Sequence, residues 1–434
     1  MFIEKATSTM IFNIVLLLMI GTLAPLATAG NGDEPPHLGE EIIISELIDL
    51  ESNPAVAYNW KRDEYLVVWE NYDHLGSRLF SINAQLINGQ GGLISGFEVA
   101  PDNQYPNRRQ WPSVAYDPVN DRYLVVWEYD YSGTLDDYDI HGIFINWDGP
   151  ISGMQQFSIS NWGANQRHPK VAYADGQKEF TIVWWNDYST VPINISGRRM
   201  KAVDGSFVSP GSDFTISHDT EVRIYPRIAY NSARNEYLVV YDNEQDVFAT
   251  RFNGAGQALS GGEFVIAGWP GEEIYPSVAA CRETDQYLVA WQNNQPDIYV
   301  RFVKGDGTVD GGPLHLDYTS LEETEPQVGC NAAGNQFLVV WEQQFTVNAG
   351  LESGSRGQLI NTDKTVGLFF VIKSPPGNPF AGSSKPAVVG GKNQYMAVWQ
   401  HSDGSVDSDI HGRLITPYTE PFHWYLFLPA VIGN

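Results

Sequence analysis

Seven prolines recur along the sequence, and the residues just before them, Asn53, Trp111, His168, Tyr225, Tyr275, Glu325 and Lys385, are side chains equipped to bind. Four of these in succession are rings. Two positions earlier stand Glu51, Arg109, Gln166, Arg223, Glu273, Glu323 and Ser383, all polar. Aromatic faces beside carboxylates, amides and guanidinium groups suit a saccharide, whose C–H faces pack on rings while its hydroxyls need directional partners. The same rings also serve as packing wedges between neighbouring elements, and both readings stay open at this level.

A second set of candidates is carboxylate-rich. Glu70, Glu128, Asp242, Gln292 and Glu342 occupy one recurring position, and Asp139, Asp246, Asp297 and Asp409 open the segment after it. Recurrence points to turn formation and amide capping, because glycoside hydrolysis needs one unique carboxyl pair at defined spacing. Asp403, Asp407 and Asp409, like Asp136, Asp137 and Asp139, gather oxygen ligands of the kind Ca²⁺ takes in an extracellular setting. Neither loop has the closing Glu of an EF-hand, and a plain solvated acidic turn is the competing reading. No other cofactor is expected. His141 and His411 sit at equivalent positions of different repeats, which favours a strand-surface role over a shared zinc site. No nucleophile elbow, phosphate loop or His-Glu-x-x-His helix occurs, so common hydrolase, nucleotide and metalloprotease chemistries have no foothold.

The elements that position these groups repeat with the prolines, which lie 58, 57, 57, 50, 50 and 60 residues apart. Each unit opens with a short run such as Pro54-Ala55-Val56-Ala57-Tyr58, small and apolar enough for a strand buried on both faces. Proline at its first residue removes no needed ladder donor. A polar turn follows, and then a β-branched and aromatic run such as Tyr65-Leu66-Val67-Val68-Trp69. A third strand starts at Asp or Asn, as in Asp139-Ile140-His141-Gly142, and an alternating fourth reads Phe157-Ser158-Ile159 or Phe214-Thr215-Ile216. Four strands in each of seven repeats predict an all-β chain, a seven-bladed β-propeller of four-stranded blades. Glu41 to Ser45 has no unit of its own, and the last unit lacks a fourth strand. The expectation is that this N-terminal strand completes the last blade; the rival is closure by the tail, Phe422 to Val431.

The pattern Pro-x-Val-Ala-Tyr, Tyr-Leu-Val-Val-Trp, Asp-Ile-x-Gly-Arg resembles a broad group of secreted bacterial repeat proteins, over residues 41 to about 415. The resemblance implies a propeller and an extracellular life, and it carries no shared activity. WD-repeat and kelch marks are missing, and so is the Ser-x-Asp-x-Gly-x-Thr-Trp box of sialidases.

The ends read differently from the repeats. Lys5, the apolar run Ile11 to Leu26 and Ala27-Thr28-Ala29 predict a signal peptide over 1–29. The run is interrupted by Asn13 and Pro25 and is shorter than the roughly twenty residues of a spanning helix. A linker over 30–40, the propeller over 41–417 and an apolar tail over 418–434 complete the expected organisation. The tail looks like the aromatic-Leu-Pro-x-Val ending of exported proteins in some filamentous bacteria, and either packs on the propeller or acts as a retention signal. Secretion to the exterior or the cell surface is the expected location, with no transmembrane segment in the mature chain.

Across 434 residues, 43% hydrophobic and 13% aromatic content excludes a disordered chain, and a formal charge of -26 opposes binding to a phosphate backbone, so nucleic acid is not expected as a partner. The two cysteines, Cys281 and Cys330, lie in consecutive first strands, five and four residues beyond their prolines. Export and an even count favour pairing, while a one-residue offset turns one side chain to the opposite face of its strand, so a disulfide and two buried thiols both remain open. The functional expectation is a ligand-binding or scaffold propeller that recognises a polysaccharide or a cell-surface protein through its axial mouth. The alternative is a carbohydrate-active enzyme, either a glycoside hydrolase or a polysaccharide lyase.

Overall fold

The computed structural model describes residues 35–418, without 76–78, 101–106, 132–136, 164, 188–192, 209–210, 218–220, 317–318, 320, 348–349, 376–380 and 406, and without the side chains of 346–347 and 350–351. The expected signal peptide and the apolar tail beyond 418 lie outside the described residues, as does Asp136. Among the described residues no helix is long and apolar enough to cross a membrane.

The chain is all-β, built of antiparallel sheets in sequence order, mostly four-stranded, with a short fifth strand, Gly149–Pro150, added to the second. The first unit runs Leu50–Asn59, Glu64–Tyr72, Phe80–Asn88, Leu93–Ala100, each strand pairing with the next. An eight-stranded sheet consists of two such sets joined by one parallel bridge, Ser353 to Gly382. The Tyr-Leu-Val-Val-Trp strand is buried throughout, from Tyr65 at 0% exposed to Trp69 at 3%. Its alternating side chains serve two different neighbours. Leu66 and Val68 pack with Val114 and Tyr123 of the following unit, whereas Tyr65, Val67 and Trp69 pack with Met396 and Val398 of the last unit. That double burial is why the run carries no polar alternation.

First strands stand beside first strands. Leu50–Asn59 neighbours Arg108–Asp117, which neighbours Asn165–Ala174, and the succession continues through Ile224–Asn231, Glu273–Cys281 and Glu322–Cys330 to Gly382–Gly390, which returns to Leu50–Asn59. The motif residues explain how units hold each other. Tyr58 and Tyr116 donate to Asp63 and Asp121 of their own turns at 2.8 Å, and Arg62 reaches Asp121 of the next unit at 2.8 Å. The Arg of the third strand bonds the fourth-strand carbonyl of the unit before it: Arg301 donates to Ile266 O at 2.7 Å and Arg413 to Ile372 O at 2.6 Å, and Arg198 does the same with Ile159 O.

The N-terminal strand His37–Ser45 pairs antiparallel with Asp409–Thr416, Ile42 opposite Gly412. A Cβ built on Gly412 would lie 2.9 Å from Ile44 Cδ1, just as one on Gly142 would lie 2.9 Å from Ile159 Cδ1 of its own fourth strand. Ile44 therefore fills beside Gly412 the place that Ile159 fills beside Gly142, and glycine is required because the isoleucine occupies the volume of its side chain. Glu41 of the same strand accepts from Lys373 Nζ at 2.7 Å through each carboxylate oxygen and lies 2.6 Å from His411 Nδ1.

Cys281 and Cys330 form a disulfide with Cα atoms 5.5 Å apart. Cys330 pairs with Phe337 as Ala280 pairs with Tyr287, so the one-residue offset persists in the register. The offset is no obstacle, because sheets stacked in succession present the front of one to the back of the next. Cysteines bridging them must therefore point from opposite faces of equivalent strands.

Candidate functional site

The residues before the seven prolines share one backbone device. Asn53, Trp111, His168, Tyr225, Tyr275, Glu325 and Lys385 all have φ between 50° and 54°. This left-handed conformation costs a non-glycine residue about 1 to 2 kcal/mol. The pairing register slips at each of these points, as between Gln110 and Ser113, so that each is a β-bulge in which proline has no N–H to lose. Capping offsets part of the strain. The carboxylate that ends one second strand accepts the amide N–H of the next unit's bulge: Trp111 N–H donates to Glu70 at 2.9 Å, Tyr275 N–H to Asp242 at 3.0 Å, and His168 N–H to Glu128. Glu70, Glu128 and Asp242 thus each bridge two units through a backbone amide. Burial pushes Glu128 up to about 8 and both Asp242 and Glu342 up to about 7.

The bulges bring their side chains into one band. Ring centroids lie 4.2 Å apart for Trp111 and His168, 5.0 Å for His168 and Tyr225, and 5.0 Å for Tyr225 and Tyr275. Lys385 closes the band, pairing with Glu325 and placing its Nζ 5.9 Å from the Trp111 ring centre. His168 is buried at 8% exposure, while Trp111, Tyr225 and Tyr275 are half-buried, so the rings pack on one another and keep part of their faces open. Trp185, at the position where other units carry the capping acid, stacks on His168 at 5.9 Å and extends the aromatic surface.

Beneath the band lies a cavity of about 250 Å³. Asn53, Trp111, Glu325 and Lys385 line its rim, and Ser113, Lys170, Arg227, Ser277 and Gln327 line its wall. These wall residues follow the prolines and were not singled out from the sequence, where the Pro-x-Val-Ala-Tyr run reads as nearly all small or apolar. The available signal was the contrast at position x between Ala55, Ser113, Ser277 and Ala387 and the two cations Lys170 and Arg227.

Several expected site residues fall elsewhere. Arg109 and Arg223 do not surround the mouth, being 3% and 1% exposed. Arg223 bonds Glu263 at 3.0 and 2.8 Å and stacks over Phe248, and Arg109 lies over Tyr129 and reaches Phe80 O at 3.4 Å. Their companion Glu51 accepts from Trp69 Nε1 at 2.7 Å. Period-two alternation places residues i−2 and i on one face of a strand, but the left-handed bulge turns residue i away from that face. Asp403, Asp407 and Asp409 are not brought together as ligands, since no group of three His, Cys, Asp or Glu among the described residues could hold a metal ion. Asp403 instead accepts the Ser405 amide at 2.8 Å in a tight turn, and Asp407 faces His74 at 3.5 Å. The two histidines are buried rather than on a strand surface: His141 lies 2.8 Å from the Tyr131 hydroxyl, and His411 bonds Glu41.

No family model matches this chain, and no curated protein matches it either. Among solved structures it is similar to the phage phi92 endosialidase, with a TM-score of 0.53, 8% identity and coverage of 91% of this chain and 72% of that one. It is also similar to the GH93 α-L-arabinofuranosidase of Fusarium graminearum in complex with arabinobiose, with a TM-score of 0.51, 10% identity and coverage of 72% and 93%. At such identities the likeness shows the fold alone, a β-propeller.

Proposed function

We propose that this chain is an exported seven-bladed β-propeller, its ring completed by the N-terminal strand, that binds a saccharide of a polysaccharide or surface glycoprotein at its axial mouth. The seven-fold reading is supported by the return of the last first strand to the first one and by Ile44 standing over Gly412. The functional reading rests on one observation: the half-open Trp111 ring, the Asn53 amide and the Glu325–Lys385 ion pair line one axial cavity, and the rings of His168, Tyr225 and Tyr275 continue from Trp111 in a single band. Binding is favoured over catalysis because Glu70, Glu128 and Asp242 accept backbone amides and Glu325 is paired with Lys385, so that among the described residues no unique acid and base pair faces the cavity.

A glycan array probed with the purified mature protein tests this. Trp111→Ala and Tyr225→Ala each remove a ring face, expected to weaken binding by about 2 kcal/mol, roughly thirtyfold. Unchanged glycan binding in both variants overturns the mouth reading. Release of reducing ends or unsaturated sugars would move the assignment to a glycoside hydrolase or polysaccharide lyase.

A further inference from the structure

We propose that the axial cavity is an anion site, in which Lys170 and Arg227 take the carboxylate of a terminal acidic sugar. This deepens, and rests on, the reading of the mouth as a saccharide site. Both cations come from the residue after the repeat proline in consecutive first strands, and both line the same cavity. The third cation there, Lys385, is already paired with Glu325. Among the described residues neither Lys170 nor Arg227 forms an ion pair, and the Arg227 guanidinium has only the Pro226 carbonyl at 3.2 Å.

Two like charges on the wall of one cavity, neither held in an ion pair, are costly to keep unless something compensates them. Glu128 acts on Lys170, and Glu325 and Asp242 on Arg227, but they compensate only in part, because Glu325 is paired with Lys385 and the Glu128 and Asp242 side chains accept the His168 and Tyr275 amides. Burial and the neighbouring Arg227 push the Lys170 ammonium well below the usual lysine range, and burial brings the Arg227 guanidinium down to about 10. An anion seated between the two groups would relieve both. Ser113, Ser277 and Gln327 on the same wall offer hydroxyl and amide partners for the rest of a sugar ring, and the Trp111 face stands above.

Size and charge narrow the ligand. A cavity of about 250 Å³ has room for one sugar unit. The formal charge of -26 opposes the approach of a polyanion, whereas one carboxylate inside the cavity meets the two cations that line it. A chain end carrying one uronic acid satisfies both conditions.

The test uses two oligosaccharides identical except that one ends in glucuronic acid and the other in glucose, with inorganic phosphate as a competitor. Wild type should prefer the acidic end by about tenfold or more, and Lys170→Met and Arg227→Met should each remove about tenfold of that preference, read as the ratio of the two affinities. Both variants replace an enclosed charge with an apolar side chain of similar length, so they should fold, and their melting temperatures check this. Equal binding of the two oligosaccharides by wild type overturns the anion site and leaves the mouth reading standing. Failure to bind either one overturns both. Phosphate binding as tight as that of the acidic sugar, and lost in the same variants, overturns the assignment to a sugar carboxylate.

Discussion

Replacing Glu41 with Gln should loosen the attachment of the N-terminal strand, and the loss should depend on pH. Glu41 receives two bonds from Lys373 Nζ, each 2.7 Å, and one contact with His411 Nδ1 at 2.6 Å, so a single carboxylate ties three strands from the beginning, the sixth unit and the last unit of the chain. Hydrogen bonds to charged groups contribute roughly 1.5 to 3 kcal/mol when buried and well under 1 kcal/mol when exposed. Glu41, 25% exposed, lies between, which gives about 2 kcal/mol for the loss of its charge. With an unfolding entropy of roughly 2.1 cal/mol/K per residue, that is about 2 °C in melting temperature for a chain of 434 residues. Burial raises the Glu41 pKa, but the bonds from Lys373 and His411 outweigh it and hold the carboxyl below its ordinary value. A carboxyl with a lowered folded pKa stabilises above its unfolded pKa and loses that contribution as pH falls through the folded value. Calorimetry of wild type and Glu41→Gln should therefore show the gap at about pH 7 and its progressive loss as pH falls below the ordinary carboxylate range. Equal melting at neutral pH, or a gap unchanged in acid, refutes the reasoning.

Reducing the disulfide, or replacing Cys281 and Cys330 together with Ala, should cost about 4 kcal/mol by loop-closure entropy across the 49-residue separation. Denaturant titration with and without reductant measures it, and the double variant should be insensitive to reductant. Glu128→Gln should gain on wild type as pH rises from about 5 to about 8, by about 3 kcal/mol, because burial raises the Glu128 carboxyl to about 8 and the native state holds a proton that the unfolded chain releases. Gln keeps an oxygen to accept the His168 amide, and melting curves of both proteins at the two pH values check the sign.

Local composition is enough to read the strands and the repeat. A run such as Tyr123-Leu124-Val125-Val126-Trp127 announces burial on two faces, and the structure buries it completely. The return of an acid after that run announced a structural task, and Glu70, Glu128 and Asp242 accept bulge amides. The side-chain directions around each proline could not be read in this way. Alternation in an ideal strand would have sent Arg109 and Trp111 to one face, but the left-handed residue at each bulge separates them, burying Arg109 and leaving Trp111 at the rim. For the same reason Lys170 and Arg227, which look like exceptions in an apolar strand, line the axial cavity. The cysteine offset, an obstacle within one sheet, is what facing sheets require. Pattern and propensity act within a few residues of each position and are legible in order along the chain. What a side chain meets depends on which face of another unit, some fifty or more residues away, is folded against it, and only the tertiary structure decides that.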